Sequence, residues 1–263
     1  MSSIKIGNTS WHYLEKGTGQ PVVLVHGFPL DHRIWLNQLE GLSDRFRVIA
    51  VDLKGFGQSQ SAEAFSIDSM ADDLAEFLSQ INATPCVVAG LSMGGYVAFS
   101  LAVRHPELLK GLIIVCSKAE GDARAAKEAR QTMADLATTG GAKPVADQML
   151  PRMFCQKTYD ARPELAVRLR EIMESCPPAT IANACFAMRD RINRTPDLPG
   201  LEMPVMIVLG QEDVLIPQAL GLKMARSCQR GKLAMIPNAG HMAPMEEPAA
   251  VNQAIADWVA RLD

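Results

Sequence analysis

A serine set between two glycines, in Gly90-Leu91-Ser92-Met93-Gly94, is the stretch that most restricts how this chain can fold. Val87, Val88 and Ala89 precede it as a short apolar run of the kind carried by a buried parallel strand. Tyr96, Val97, Phe99 and Leu101 follow at helical spacing up to Arg104, and Pro106 stops the run. Strand, turn and helix in so few residues must approach closely. A side chain at either flank of the turn would strike the strand or the helix, so glycine stands on both sides of Ser92. The pentapeptide alone is common by chance; the strand and helix around it are what make it selective.

The rest of the chain supplies a setting for that unit. Strand-like runs recur at residues 3–6, 10–16, 22–25, 47–52, 111–116, 204–209 and 232–236. Helical patterns lie between them at 35–42 and after Ser66, where Ile67, Met70, Ala71, Leu74, Leu78 and Ile81 share one face. A last helix opens at Pro248 and presents Val251, Ile255, Trp258 and Leu262. Alternation of this kind implies a mostly parallel sheet with helices on both faces. Residues 117–196 break the pattern. They hold no strand-like run and read as four helices, at 122–139, 142–154, 162–175 and 178–190, broken by Gly140-Gly141 and Pro177-Pro178. The expectation is one α/β domain over residues 1–263 with about eight strands. Its core is 1–116 and 197–263, and 117–196 form an inserted helical lid.

Composition removes several functions. A formal net charge of -3 gives no basic footprint for nucleic acid. No apolar stretch is long enough to cross a membrane. The start, Met1-Ser-Ser-Ile-Lys-Ile-Gly, lacks the apolar core of a signal peptide, so the expected location is cytoplasmic. The six cysteines, at 86, 116, 155, 176, 185 and 228, include no Cys-x-x-Cys pair. Reduced thiols are expected, with no metal and no cofactor.

A serine hydroxyl is a weak nucleophile without a base, and the base needs an orienting acid. Of five histidines, His12 and His105 read as surface residues, His32 as loop decoration that could reach a site rim, and His26 as a brace for its loop. His241 differs, because Asn238-Ala-Gly-His-Met-Ala-Pro lies just beyond the last strand, where parallel sheets carry their sites. Asp213 follows the 205–209 strand and completes the order Ser, Asp, His; its neighbour Glu212 is the competing acid. Asp52 also ends a strand, but its place favours tying down Gly55 and Gly57. Two backbone N–H groups could hold a developing oxyanion, that of Met93 after the serine and that of Phe28 after the 22–25 strand. Met149, Met153, Phe154, Val214, Leu215 and Met242, with Phe28 and Met93, are candidates for an apolar substrate pocket.

Taken together, His26-Gly-Phe-Pro, Asp52-Leu-Lys-Gly-Phe-Gly-Gln-Ser59, Gly90-Leu-Ser-Met-Gly-Gly95, Gly210-Gln-Glu-Asp213 and Gly240-His241 resemble the α/β-hydrolase superfamily in order and spacing. The resemblance runs over nearly the whole chain and implies Ser92, Asp213 and His241 as a catalytic triad. Lys54 departs from it, since many relatives carry Arg or Pro there, and this touches loop packing only. Serine at the elbow separates the chain from haloalkane dehalogenases and epoxide hydrolases, which use aspartate. The elbow and the phrase Ala146-Asp-Gln-Met-Leu-Pro-Arg-Met-Phe154 are similar to small, cofactor-free ester and lactone hydrolases of the 3-oxoadipate enol-lactonase-like group. That resemblance implies a small ester or lactone as the partner. A carbon–carbon hydrolase, thioesterase or perhydrolase would use the same residues, and a ligand-sensing protein without turnover is the reading from another class. Arg33, Arg152 and Arg189 could supply a cationic clamp for an acidic substrate.

Overall fold

The computed structural model describes residues 2–262. Eight strands form one sheet: β1 (Ser2–Ile6), β2 (Thr9–Lys16), β3 (Pro21–Val25), β4 (Arg47–Val51), β5 (Cys86–Leu91), β6 (Leu109–Val115), β7 (Val205–Gly210) and β8 (Gly231–Ile236). Their spatial order is β1-β2-β4-β3-β5-β6-β7-β8. β1 and β2 pair antiparallel, as do β2 and β4, and every later pair is parallel. Burial follows the sequence pattern. The all-apolar runs of β5 and β7 are buried at every position because helices cover both faces, whereas the edge strand β8 is half-buried.

From β3 the chain runs outward to β4, then crosses back to place β5 on the other side of β3. The crevice above β3 and β5 is therefore the switch point of the sheet, where such folds leave room for a ligand. Register aligns Val25 with Gly90, so the segments leaving β3 and β5 emerge level with each other. This brings residues 26–28 beside the Ser92 turn.

The helix Ile67–Gln80 begins at Ser66, whose hydroxyl and that of Ser69 bond reciprocally to each other's backbone N–H. It turns Met70, Leu74, Phe77 and Leu78 into the core. Phe77 stacks on Trp11 at 5.6 Å, which fixes β2 over this helix.

Between β6 and β7 the chain is helical, as its composition implies, but it holds five α-helices where the sequence suggests four. These are Arg124–Gly140, Ala142–Met149, Gln156–Ala161, Pro163–Glu174 and Pro178–Arg189. The expected helix at 142–154 ends at Met149, and residues Leu150–Arg152 form a 3-10 turn, because Pro151 has no N–H to continue the helical ladder. The short helix Gln156–Ala161 then fills a gap left unassigned by periodicity.

An added methyl at Gly94 would lie 2.5 Å from the His26 carbonyl oxygen and against that of Val25 as well. Gly94→Ala is expected to lower stability by about 2–3 kcal/mol in urea unfolding, since backbone must move. Gly200→Ala, where nothing lies within 4 Å of the new carbon, should stay within about 0.5 kcal/mol of the parent.

Candidate active site

Ser92 stands at the N-terminus of the helix Met93–Arg104 with φ 51 and ψ -113, a conformation that costs a non-glycine residue on the order of 1–3 kcal/mol. Three hydrogen bonds hold it there. Its N–H donates to Val115 O at 2.9 Å, and its carbonyl accepts from Gly95 N–H at 2.9 Å and from the Ser117 hydroxyl at 2.6 Å. The turn is as tight as the sequence implies: a Cβ on Gly90 would strike the Gly94 carbonyl, and one on Gly95 would lie 2.5 Å from Ser117 Cβ. The Ser92 hydroxyl is left without a protein partner among the described residues, and it borders a cavity that it shares with His241.

His241 comes from the loop after β8. Its Nδ1 lies 2.9 Å from Asp213 Oδ2, and both side chains are buried. Asp213 Oδ1 accepts the N–H groups of Leu215 at 2.8 Å and Ile216 at 3.0 Å, so the loop after β7 winds around its own carboxylate. Burial would raise this carboxyl, but the charge and hydrogen bond of His241, with the two N–H donors, hold it below the usual carboxylate range. An ionised carboxylate only accepts, so His241 carries its proton on Nδ1 and leaves Nε2 as the basic nitrogen. Glu212, the competing acid of the sequence reading, is exposed and makes no bond to His241.

Two backbone donors flank Ser92. Met93 is the first residue of its helix, so its N–H has no acceptor within the helix. The Phe28 N–H likewise has no protein acceptor among the described residues. The Phe28 loop is fixed by His26, which is fully buried: Nδ1 donates to Gly27 O at 2.8 Å and Nε2 accepts the Leu53 N–H at 3.1 Å. Burial lowers the pKa of this imidazole, consistent with a neutral brace.

His32 departs from its reading as loop decoration. It is 7% exposed, and its Nδ1 and N–H both reach Asp52 Oδ1 at 2.8 Å. Asp52 also accepts Gln58 N–H at 2.9 Å, and a Cβ on Gly57 would strike its carboxylate. The pair ties the loops after β3 and β4 together, a long-range contact with no local signature.

The shared cavity measures about 510 Å³. Phe28, Met149, Met153 and Leu215 line it, as do Tyr96, Met133, Met188 and Ile216, which the sequence did not single out. Phe154, Val214, Met242 and Met93 are not part of its wall. Phe154 packs edge-on against Tyr159, Val214 is 65% exposed, and Met242 and Met93 are buried in the core. Asp122, Arg130 and Lys118 also line the cavity, and Asp122 meets Arg191 at 2.8 Å, Arg130 at 3.2 Å and Lys118 at 3.7 Å. Of the clamp candidates, Arg152 lines the cavity, whereas Arg33 is bound to Asp31 at 2.6 Å and Arg189 to Asp190 at 2.7 Å. Cys116, Asp213 and His241, and separately Asp31, His32 and Asp52, bring ligand-type atoms within 4.8 Å of one another. In both groups the imidazole Nδ1 already faces a carboxylate. The six thiols are free and buried, and no helix among the described residues is long and apolar enough to cross a membrane.

Glu246, a fully buried carboxyl, also escaped the sequence reading. Glu246 Oε1 accepts the N–H of Gly240, next to His241, at 2.8 Å. The only signal for it is its place five residues beyond the histidine.

Comparison with known proteins gives consistent matches. Residues 20–248 match the family described as alpha/beta hydrolase fold. A thermophilic esterase from Thermogutta terrifontis, solved with malate bound, superposes with a TM-score of 0.97 at 38% identity, covering 100% of this chain and 99% of that one. The AB hydrolase superfamily protein YisY of Bacillus subtilis is 29% identical over 92% of each chain. The 3-oxoadipate enol-lactonase 2 of Acinetobacter baylyi is 26% identical over 88% of this chain and 85% of its own.

Folding lowers the Asp213 carboxyl from an unfolded value of about 3.9, so the group adds stability above that pH and loses it as pH falls through the folded value. Asp213→Asn is expected to be less stable than the parent in urea at neutral pH. The gap should narrow as pH falls below the unfolded value and the parent carboxylate takes up its proton.

Proposed function

The chain belongs to the alpha/beta hydrolase family, and on that footing we propose that it is a serine hydrolase cleaving small carboxylic esters or lactones through an acyl-enzyme. The observation that carries the reading is one cavity bordered by an unbonded serine hydroxyl and by an imidazole whose Nδ1 is held on a carboxylate. His241 Nε2 takes the proton of Ser92 as Oγ bonds to the carbonyl carbon. The carbonyl oxygen becomes an oxyanion between the Phe28 and Met93 N–H groups, and each such donor is worth about 3–4 kcal/mol in the transition state. Collapse breaks the bond to the leaving oxygen, which receives the proton from His241. Water then attacks the acyl carbon, His241 takes its proton, and the acid leaves as Ser92 recovers its hydrogen. Asp213 keeps the ring in its tautomer and stabilises the cation formed at each step.

The bond type is supported by the esterase and enol-lactonase likenesses and by the wall of Phe28, Met149, Met153 and Leu215. Methionine adapts to varied shapes, which suits a permissive pocket for short acyl groups.

Turnover of a short aryl ester, a small lactone and a vinylogous diketone tests the reading directly. Ester and lactone hydrolysis are expected, with Ser92→Ala lowering kcat by about 10⁴-fold or more while the folded state persists. Faster cleavage of the diketone would assign the carbon–carbon reaction instead. Ester turnover that survives Ser92→Ala would remove the serine from the chemistry.

A further inference from the structure

Glu246 is a carboxyl that the reaction above does not use, and no part of it is exposed. It closes the short helix Ala243–Glu246 and bonds in two directions. Oε1 takes the Gly240 N–H from the His241 loop. Oε2 takes the Cys155 N–H and the Thr158 hydroxyl from the helical insertion, both at 2.8 Å. The same two segments also meet through backbone. Met242 N–H donates to Met153 O at 3.0 Å, and a Cβ on Gly240 would lie 2.6 Å from Cys155 N. Met153 is itself part of the cavity wall.

Resting on the serine-hydrolase reading, we propose that Glu246 is a positioning residue for His241, a buried carboxylate that locks the 240–242 loop against residues 153–158. The base and one wall of the cavity are then set by a single group. Three donors address it and no cation pairs with it among the described residues. The titratable groups facing it are the Cys155 thiol and Tyr159 phenol of the insertion and the Cys116 thiol at the end of β6. Burial pushes all three up, so they are neutral near pH 7. Burial also raises the Glu246 carboxyl above its ordinary value, against the pull of its donors. A proton there converts an acceptor oxygen into a hydroxyl and weakens the lock, so activity depends on a second proton-sensitive group on the acid side.

The test is kcat and KM for a neutral aryl ester across the acid pH range, in the parent chain, Glu246→Gln and Thr158→Val. Glu246→Gln should lower kcat at least about tenfold with KM within about twofold, because misplacing a base is costly while the pocket persists. The parent acid limb should fall more steeply than one proton allows, and that of the Gln variant should follow a single ionisation. Thr158→Val removes one donor, raises the carboxyl further and moves the acid limb to higher pH. It decides the matter alone if the Gln variant does not fold. Parent-like kcat in folded Glu246→Gln, or an unmoved acid limb in Thr158→Val, overturns the positioning role and leaves the hydrolase reading standing. A parent chain that turns over no ester overturns both.

Discussion

The approach of the Met93–Arg104 helix to β3 and β5 is the constraint on which the rest of the structure depends. It is made through backbone: Gly90 lies against the Gly94 carbonyl, and Gly94 against the carbonyls of Val25 and His26. Any side chain at these points would push the helix off the sheet. With the helix seated, Ser92 is forced into positive φ and borders the cavity at the sheet's switch point. Strain at one residue is thus held by packing around it, not by its own preferences.

The imidazole is fixed from two sides by two different carboxylates. Asp213 bonds to the ring itself and is kept ionised by that bond and by the N–H groups of Leu215 and Ile216. Glu246 bonds to the backbone beside the ring and reaches on to the insertion. One group sets tautomer and charge; the other sets where the loop stands relative to the cavity wall. The insertion is therefore tied to the core at the point where the chemistry is proposed to occur.

What was legible in the sequence was what depends on neighbours in the chain. The Ser92 turn carries its glycines within two residues, Asp213 sits in a loop that wraps its own carboxylate, and His241 follows the last strand directly. The eight strands and their alternation with helices follow from apolar runs and periodicity. The remainder depends on distant partners. His32 and Asp52 are 20 residues apart, and Glu246 meets Cys155 across 91, so neither pair leaves a local pattern. Arg191 reaches Asp122 only when the two ends of the insertion come together. The same packing sends Phe154 toward Tyr159 and leaves Val214 in solvent, although by residue type both suit a pocket wall. The break at Pro151 is the exception, since its missing N–H was written in the chain and only the boundary was misplaced.

The most direct measurement is intact-mass analysis and peptide mapping after reaction with a dialkyl aryl phosphate, which phosphorylates an activated hydroxyl far faster than an ordinary one. A serine activated by His241 gives one phosphoryl group per chain, carried on Ser92, and His241→Ala loses the rapid labelling. A chain that stays unlabelled, or takes the group at scattered hydroxyls with His241→Ala reacting as fast as the parent, would contradict the assignment of Ser92 as the nucleophile.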